Sequence, residues 1–408
     1  MYDVNMIRQD FPILQERVYG RPLVYLDNAA TTQKPKCVIN AIAYAYMHEN
    51  GNVHRGNHFL SNCATQRYEE ARAGISRFIH AHHANEIVFT RGATEGLNLV
   101  ASTYGEMVLR EGDIVLVSEM EHHSNLVPWQ ALCKRKNAEL KIIPFLDSGE
   151  LDLETYAQML SDRVRIVSVA HVSNALGTVH PVKKITDLAH SCGAAVVIDG
   201  TQAVQHMQID VAALDCDFYC FSGHKMYGPI GIGVLYGKQE HLAEMPPYQY
   251  GGEMVDKVGL YDATFENAPL RFEAGTPNYI GAIALHEAVR YIERIGIEQI
   301  AAHEKSLLEY TLQHLRKIPG VHVLGGQAPM AGLVSFRVDD IHAYDLAVLL
   351  DKLGIAIRSG SHCAQTVMAH YGIEGTARLS LACYNTCSEI DAFCESMPRI
   401  CNRLQKVR

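Results

Sequence analysis

Between residues 86 and 236 the chain alternates short apolar runs with helix-length amphipathic stretches, and that alternation leaves few folds open. The strand-like runs are Glu86–Thr90, Asp113–Ser118, Glu139–Phe145, Val164–Val172, Ala194–Asp199, Asp217–Ser222 and Ile230–Tyr236. Helical stretches such as Asn125–Arg135, Leu153–Leu160 and Val182–Ser191 lie between most of them. A strand, a crossover helix and another strand in one sheet run parallel, and the helices cover both faces. The reading is an α/β fold whose large domain is a mostly parallel seven-stranded sheet sandwiched by helices. Ligands of such sheets bind beyond the carboxyl ends of the strands.

The pattern changes after Gly237. Pro246-Pro247, Gly251-Gly252 and Pro269 mark an irregular segment, with a hairpin expected at about 250–264. Beyond it, helices are expected near Ile280–Ile295, Ile300–Ile318 and Tyr344–Leu353. Strands are expected near Val321–Leu324, Leu333–Val338, Ile355–Arg358 and Ala377–Ala382. This composition suggests a smaller α+β C-terminal domain. The expected division is an N-terminal segment, 1–24, packing with the small domain, then a large domain, 25–279, and a small one, 280–408. Thr386 and Glu389 form a capping box that opens the last helix.

Two strand ends carry chemistry. Gly193-Ala-Ala-Val-Val-Ile-Asp-Gly ends a buried-type strand at Asp199. Phe221-Ser-Gly-His-Lys-Met-Tyr-Gly places Lys225 in a loop just past the next strand. Burial and neighbouring charges lower a lysine pKa, and the free amine condenses with aldehydes. Alone, Lys225 reads more readily as a surface loop lysine, and Asp199 can be a helix-capping or turn aspartate. Together they are what pyridoxal phosphate needs: an amine for the aldehyde, and a carboxylate that keeps the pyridine nitrogen protonated.

Other groups are weaker signals. Thr90-Arg-Gly-Ala-Thr-Glu-Gly follows a strand and opens a helix, so free N–H groups beside Thr94 form a phosphate site or, equally, a capped glycine turn. No nucleotide-binding glycine motif is present. Glu121-His122-His123-Ser124 offers a histidine to stack on a planar cofactor. Adjacent histidines point apart, which speaks against a metal site, and no metal is expected. Arg358-Ser-Gly-Ser-His-Cys presents Cys363 on a glycine-bearing loop with cationic neighbours, which favour a thiolate. Arg378 could clamp a carboxylate with two parallel hydrogen bonds.

Composition narrows the partners. Lysine plus arginine total 36 against 45 acidic residues, a net charge of −9, which argues against nucleic acid or an anionic membrane. No apolar run reaches membrane-spanning length, and the start lacks a signal-peptide pattern, so a cytoplasmic location is expected. The 11 cysteines are odd in number and irregularly spaced, so no disulfide framework is expected. Cys216, Cys220, Cys383, Cys387, Cys394 and Cys401 read as small buried hydrophobes.

Taken in order, the motifs resemble a known family. Asp10-Phe-Pro-Ile-Leu, Tyr25-Leu-Asp-Asn-Ala-Ala, Val53-His-Arg-Gly, Arg91-Gly-Ala-Thr-Glu-Gly, Met120-Glu-His-His and His171-Val-Ser-Asn come first. Asp199-Gly-Thr-Gln, Ser222-Gly-His-Lys, Arg271-Phe-Glu-Ala-Gly-Thr-Pro-Asn, Arg358-Ser-Gly-Ser-His-Cys and Tyr384-Asn-Thr follow. The chain resembles the group II, SufS-type cysteine desulfurases among the class V, fold-type I pyridoxal phosphate enzymes.

The resemblance implies that Lys225 holds the cofactor as an imine, Asp199 pairs with its ring nitrogen, Gln202 bonds the ring oxygen and His122 stacks on the ring. Ala93, Thr94, Ser222 and His224 would hold the phosphate, with Thr276 from the partner of a homodimer. Arg378, Asn174, Arg358 and His54 would bind L-cysteine, or L-selenocysteine. Cys363 would take the sulfur as a persulfide and pass it to an acceptor protein of SufE or SufU type for iron–sulfur cluster assembly. Ser361 departs from the family, which usually has histidine there. The rival readings are a selenocysteine lyase or an aminotransferase of the same fold, and a sulfur-transfer scaffold without turnover.

Overall fold

The computed structural model describes residues 2–405. Met1 and residues 406–408, which the expected domain limits include, lie outside the described residues. The large sheet has seven strands: β1 (Ile87–Thr90), β2 (Ile114–Ser118), β3 (Glu139–Ile143), β4 (Val164–Ala170), β5 (Ala195–Asp199), β6 (Phe218–Ser222) and β7 (Gly233–Gly237). Their spatial order is β1-β7-β6-β5-β4-β2-β3. The β3-β2-β4-β5-β6 run is parallel, and β7 is antiparallel to both β6 and β1.

The β-branched runs explain these strands. Five of the seven are buried along their whole length and β4 almost so, as strands covered on both faces must be, while the edge strand β3 is mostly exposed. Alternate side chains enter two separate cores. Val169, Val196, Ile198, Tyr219 and Phe221 join the core on one face, and Val115, Val117, Ile166, Val197 and Phe218 that on the other. Two glycines allow close approach near the ligand end. A Cβ on Gly233 would lie 2.4 Å from the Gly92 Cα, and one on Gly200 1.9 Å from the Tyr219 ring.

The hairpin expected at about 250–264 is formed by β8 (Val255–Val258) and β9 (Ala263–Phe265). A second, antiparallel sheet has the order β10-β11-β13-β12, with β10 Val321–Val323, β11 Leu333–Val338, β12 Arg358–Gly360 and β13 Thr376–Ser380. It packs on its own core of Val334, Phe336, Leu379, Ile390 and Phe393. The run expected as one strand, Ile355–Arg358, is split. Ile355–Ala356 pairs with Val24–Tyr25, and Arg358 starts the next strand against β13. The expected capping box forms: Thr386 N–H donates to Glu389 at 2.9 Å, and Glu389 N–H to the Thr386 hydroxyl at 3.3 Å.

All 11 cysteines are free. Cys216, Cys220, Cys383 and Cys401 are buried as expected, but Cys394 is only half-buried and Cys387, which opens the helix Cys387–Gln405, is exposed.

One buried ion pair fixes the approach to the site. Arg72, on the helix Phe59–Phe78, grips Glu273 through both guanidinium nitrogens at 2.7 and 2.9 Å. The Tyr68 hydroxyl and the Phe89 N–H each donate to the same carboxylate at 2.7 Å. The segment carrying Thr276 is thereby tied to β1.

Candidate active site

Asp199 ends β5, Ser222 ends β6, and Lys225 closes the single turn Gly223–Lys225 that follows. All three line one cavity of about 250 Å³ at the carboxyl ends of the parallel strands. Burial lowers the Lys225 pKa from 10.5 to about 8. Asp199 opposes that shift, and Arg378 and Arg358 add to it. Asp199 Oδ1 accepts the Thr201 N–H at 3.0 Å, and Oδ2 has no protein partner among the described residues.

A cradle of hydroxyls and amides lies beside this pair. The helix Ala93–Val100 starts here, and the Ala93 N–H donates to Ser222 Oγ at 2.9 Å. Thr94 and His224 share the cavity wall. Burial first, then Lys225 and Lys34, lowers the His224 pKa to about 4, so its ring is neutral. Its carbonyl accepts from the Thr32 N–H at 3.1 Å and from Lys34 Nζ at 2.9 Å, which holds the lysine turn from behind. Such a helix start favours an anion.

His122 follows β2 and forms another wall. Burial and then Lys225 lower its pKa to about 4. Its Nδ1 accepts the Ser124 N–H at 3.1 Å, which assigns the proton of the neutral ring to Nε2. Beneath it, Glu121 is buried, and its carboxyl accepts from the Asn125 amide at 2.6 Å, the Ala170 N–H at 2.9 Å and the Ser118 hydroxyl. Burial outweighs these donors and pushes its pKa up to about 8. Gln202 donates to the Ala29 carbonyl at 2.8 Å and also lines the cavity.

The second sheet closes the cavity. Arg358 and Arg378 face each other across β12 and β13. Arg378 Nη1 donates to the Asn174 carbonyl at 2.7 Å, and the Asn174 amide donates to the His362 carbonyl at 2.6 Å. Both arginines approach Asp27, at 3.5 Å from Arg378 and 3.6 Å from Arg358. Burial lowers the Arg378 pKa to about 10, which leaves it charged at neutral pH, and its Nε has no partner. His362 and Cys363 both take φ 56°, a left-handed pair that turns the loop sharply. Cys363 is exposed yet lines the cavity with Lys225.

Of the residues singled out in the sequence, the cavity gathers Lys225, Asp199, Gln202, His122, Ala93, Thr94, Ser222, His224, Asn174, Arg358, Arg378 and Cys363. Two stand apart from it. His54 Nε2 lies 3.1 Å from Glu69 and Nδ1 lies 3.7 Å from Glu253, outside the cavity. Thr276 is exposed on the segment after Glu273. Sequence reasoning missed Asp27, Glu121 and Ser124 as parts of the site. Each lay inside a quoted motif, and only the fold shows their partners. Among the described residues, no group of three or more His, Cys, Asp or Glu could hold a metal ion.

The family model described as Aminotransferase class-V matches residues 24–393. The chain belongs to the class-V aminotransferase family. Family members similar to it include a probable cysteine desulfurase of Halalkalibacterium halodurans, 49% identical over 397 residues, covering 97% of this chain and 98% of that one. A cysteine desulfurase of Salmonella typhimurium is 49% identical over 400 residues, covering 98% of each chain. Among solved structures, the cysteine desulfurase CsdA of Escherichia coli superposes with a TM-score of 0.92 at 38% identity, covering 98% of this chain and 99% of that chain. The apo cysteine desulfurase of Thermococcus onnurineus also gives 0.92, at 40% identity and 97% coverage of both.

Proposed function

We propose that the protein is a pyridoxal phosphate-dependent cysteine desulfurase. The observation that carries this is the exposed thiol of Cys363 lining the same cavity as Lys225 and Asp199. An aminotransferase has no use for a thiol there. The residues present fit the cofactor. They offer an amine with lowered pKa, a carboxylate oxygen without a partner, a helix start lined with hydroxyls, and a neutral imidazole wall.

When bound, pyridoxal phosphate supplies an aldehyde for amines and a protonated ring that draws electrons from Cα. Asp199 would keep the proton on its ring nitrogen, and Gln202 would bond its ring oxygen. The neutral ring of His122 covers one face and excludes water. The Ala93 amide, Thr94, Ser222 and His224 hold the phosphate, joined by Thr276 of the partner subunit in a homodimer.

Arg378 would take the carboxylate of L-cysteine through its fork, helped by Asn174 and Arg358 in the same cavity wall, and His54, outside that wall, would act only from beyond it. With substrate in place, the Lys225 amine would take the Cα proton. The Cys363 sulfur then attacks the substrate sulfur. The C–S bond breaks, an S–S bond forms, Cβ gains a proton, and the products are L-alanine and a persulfide on Cys363. The electron pair of the broken bond stays with the carbon skeleton, so no outside reductant is needed. L-selenocysteine fits the same grip.

The further parts of the reading are residues 25–279 as the cofactor domain, 280–408 as the domain carrying the thiol loop, and 1–24 as a segment packed on it. The cell's cytoplasm is the expected location, and no described helix is long and apolar enough to cross a membrane. The exposed thiol suits transfer to an acceptor protein of SufE or SufU type, in service of iron–sulfur cluster assembly.

The test is holoprotein with L-cysteine and no keto acid, followed for alanine and for the mass of the Cys363 peptide. Alanine with one added sulfur on that peptide is expected. Alanine that appears only when a keto acid is supplied would make the protein an aminotransferase.

A further inference from the structure

Three side chains outside the Lys225–Asp199 pair form one continuous set of contacts. Ser124 Oγ lies 2.7 Å from Thr94 Oγ1 and 3.0 Å from His122 Nδ1. The N–H of Ser124 donates to that same nitrogen at 3.1 Å. Ser124 lines the cavity between the other two and has no role in the assignments above. A hydroxyl has one proton and two lone pairs, so without a bound phosphate Ser124 can donate to the imidazole and accept from the threonine at once. When a phosphate oxygen takes the Thr94 proton, the Ser124 proton turns to Thr94 Oγ1 and the Ser124 N–H keeps Nδ1. Thr94 sits exposed on the first turn of its helix, where, among the described residues, its hydroxyl has this one hydrogen-bond contact.

We propose that Ser124 is a positioning residue for the cofactor, joining the phosphate-binding hydroxyl of Thr94 to the ring of His122 in one rigid unit. The proposal rests on the pyridoxal phosphate reading. Its physical basis is pre-organisation: a threonine rotamer and an imidazole plane that are set before the ligand arrives are not ordered at the ligand's expense. Two donors on Nδ1, one from the backbone and one from the side chain, also hold the ring proton on Nε2. The phosphate end and the ring face of the ligand are then placed by the same turn after β2.

The test compares the parent with Ser124→Ala and Ser124→Thr as apoproteins. Titration with pyridoxal phosphate is expected to give a Kd about five- to tenfold higher for Ser124→Ala, the effect of one lost hydrogen bond, with Ser124→Thr returning most of it. The ¹⁵N signal of His122 Nδ1 in the apoprotein is expected to shift in Ser124→Ala alone. The thermal midpoint of both variants should match the parent, which separates positioning from a packing defect. Equal Kd values for parent and Ser124→Ala, or equal losses in both variants, would overturn the proposal. A parent that takes up no pyridoxal phosphate would instead overturn the functional reading, and this proposal with it.

Discussion

The carbonyl of Cys363 accepts the backbone N–H of His123 at 2.8 Å. The turn that carries the thiol is therefore held by the turn that carries the cavity's histidine wall. The preceding carbonyl, that of His362, is held in the same way by Asn174 at 2.6 Å. Two successive carbonyls of one loop are pinned by donors from the large sheet's side of the cavity. Neither contact uses the sulfur, so the loop's position does not depend on the thiol it presents.

This separation predicts the behaviour of Cys363→Ser. The variant should bind pyridoxal phosphate like the parent, since both anchoring carbonyls remain, but form no persulfide. Absorbance of the bound cofactor and mass spectrometry of the loop peptide check the two halves. Normal sulfide release by the variant would remove Cys363 from the reaction.

Asn174→Ala should do the converse. It removes one anchor of the loop and leaves the thiol in place. The rate of persulfide formation should fall about tenfold, the effect of one lost buried hydrogen bond, while the cofactor's Kd stays within about twofold. Stopped-flow transfer rates and an absorbance titration measure the two.

Lys225 gives a pH dependence with a definite sign. Burial makes the charged amine costly, so its pKa falls from 10.5 to about 8. Its neutral, nucleophilic fraction grows as pH rises through that value. Apoprotein treated with pyridoxal phosphate and borohydride should show labelling of Lys225 that increases with pH, with a midpoint near 8. A midpoint in the range of an ordinary lysine would contradict the burial argument. Lys225→Ala should lose the labelling, the visible cofactor band and alanine formation together.

Arg378→Lys keeps the charge and loses the fork. The KM for L-cysteine should rise about tenfold or more, because a point charge cannot reproduce two parallel hydrogen bonds to a carboxylate. Steady-state kinetics with saturating cofactor give the answer, and an unchanged KM would move the carboxylate site elsewhere.

Glu273→Ala removes the buried carboxylate that takes two bonds from Arg72 and leaves that guanidinium only the half-exposed Glu69 and the Ile87 carbonyl. The loss should be about 3–5 kcal/mol of stability, as for other broken buried pairs. Denaturant unfolding at neutral pH measures it. A loss below about 1 kcal/mol would place this pair with the weak exposed ones.

The inner strands of the large sheet were legible because they are buried on both faces, and such strands are written as continuous apolar runs. Their ends were less so: β7 begins at Gly233 rather than Ile230, since Gly233 must pass against Gly92 and the residues before it turn. Ile355–Arg358 looked like one strand because its apolar pattern is unbroken, yet it serves two different partners. The site's strand-end residues were legible from their chemistry and from the family likeness. Asp27, Glu121 and Ser124 were not, because their meaning lies in partners brought near by folding. Glu273 and Arg72 stand 201 positions apart, and nothing local in either segment announces the other.

Arg358 begins the strand that leads into the thiol loop, and Arg378 sits opposite it on the neighbouring strand. In the proposed reaction, the grip on the amino acid and the loop that offers the receiving sulfur would thus be set by one antiparallel ladder. If that ladder tilts toward the cofactor, both travel together. The gap the sulfur would cross is then set jointly by strand register and by the His123 and Asn174 contacts that hold the loop.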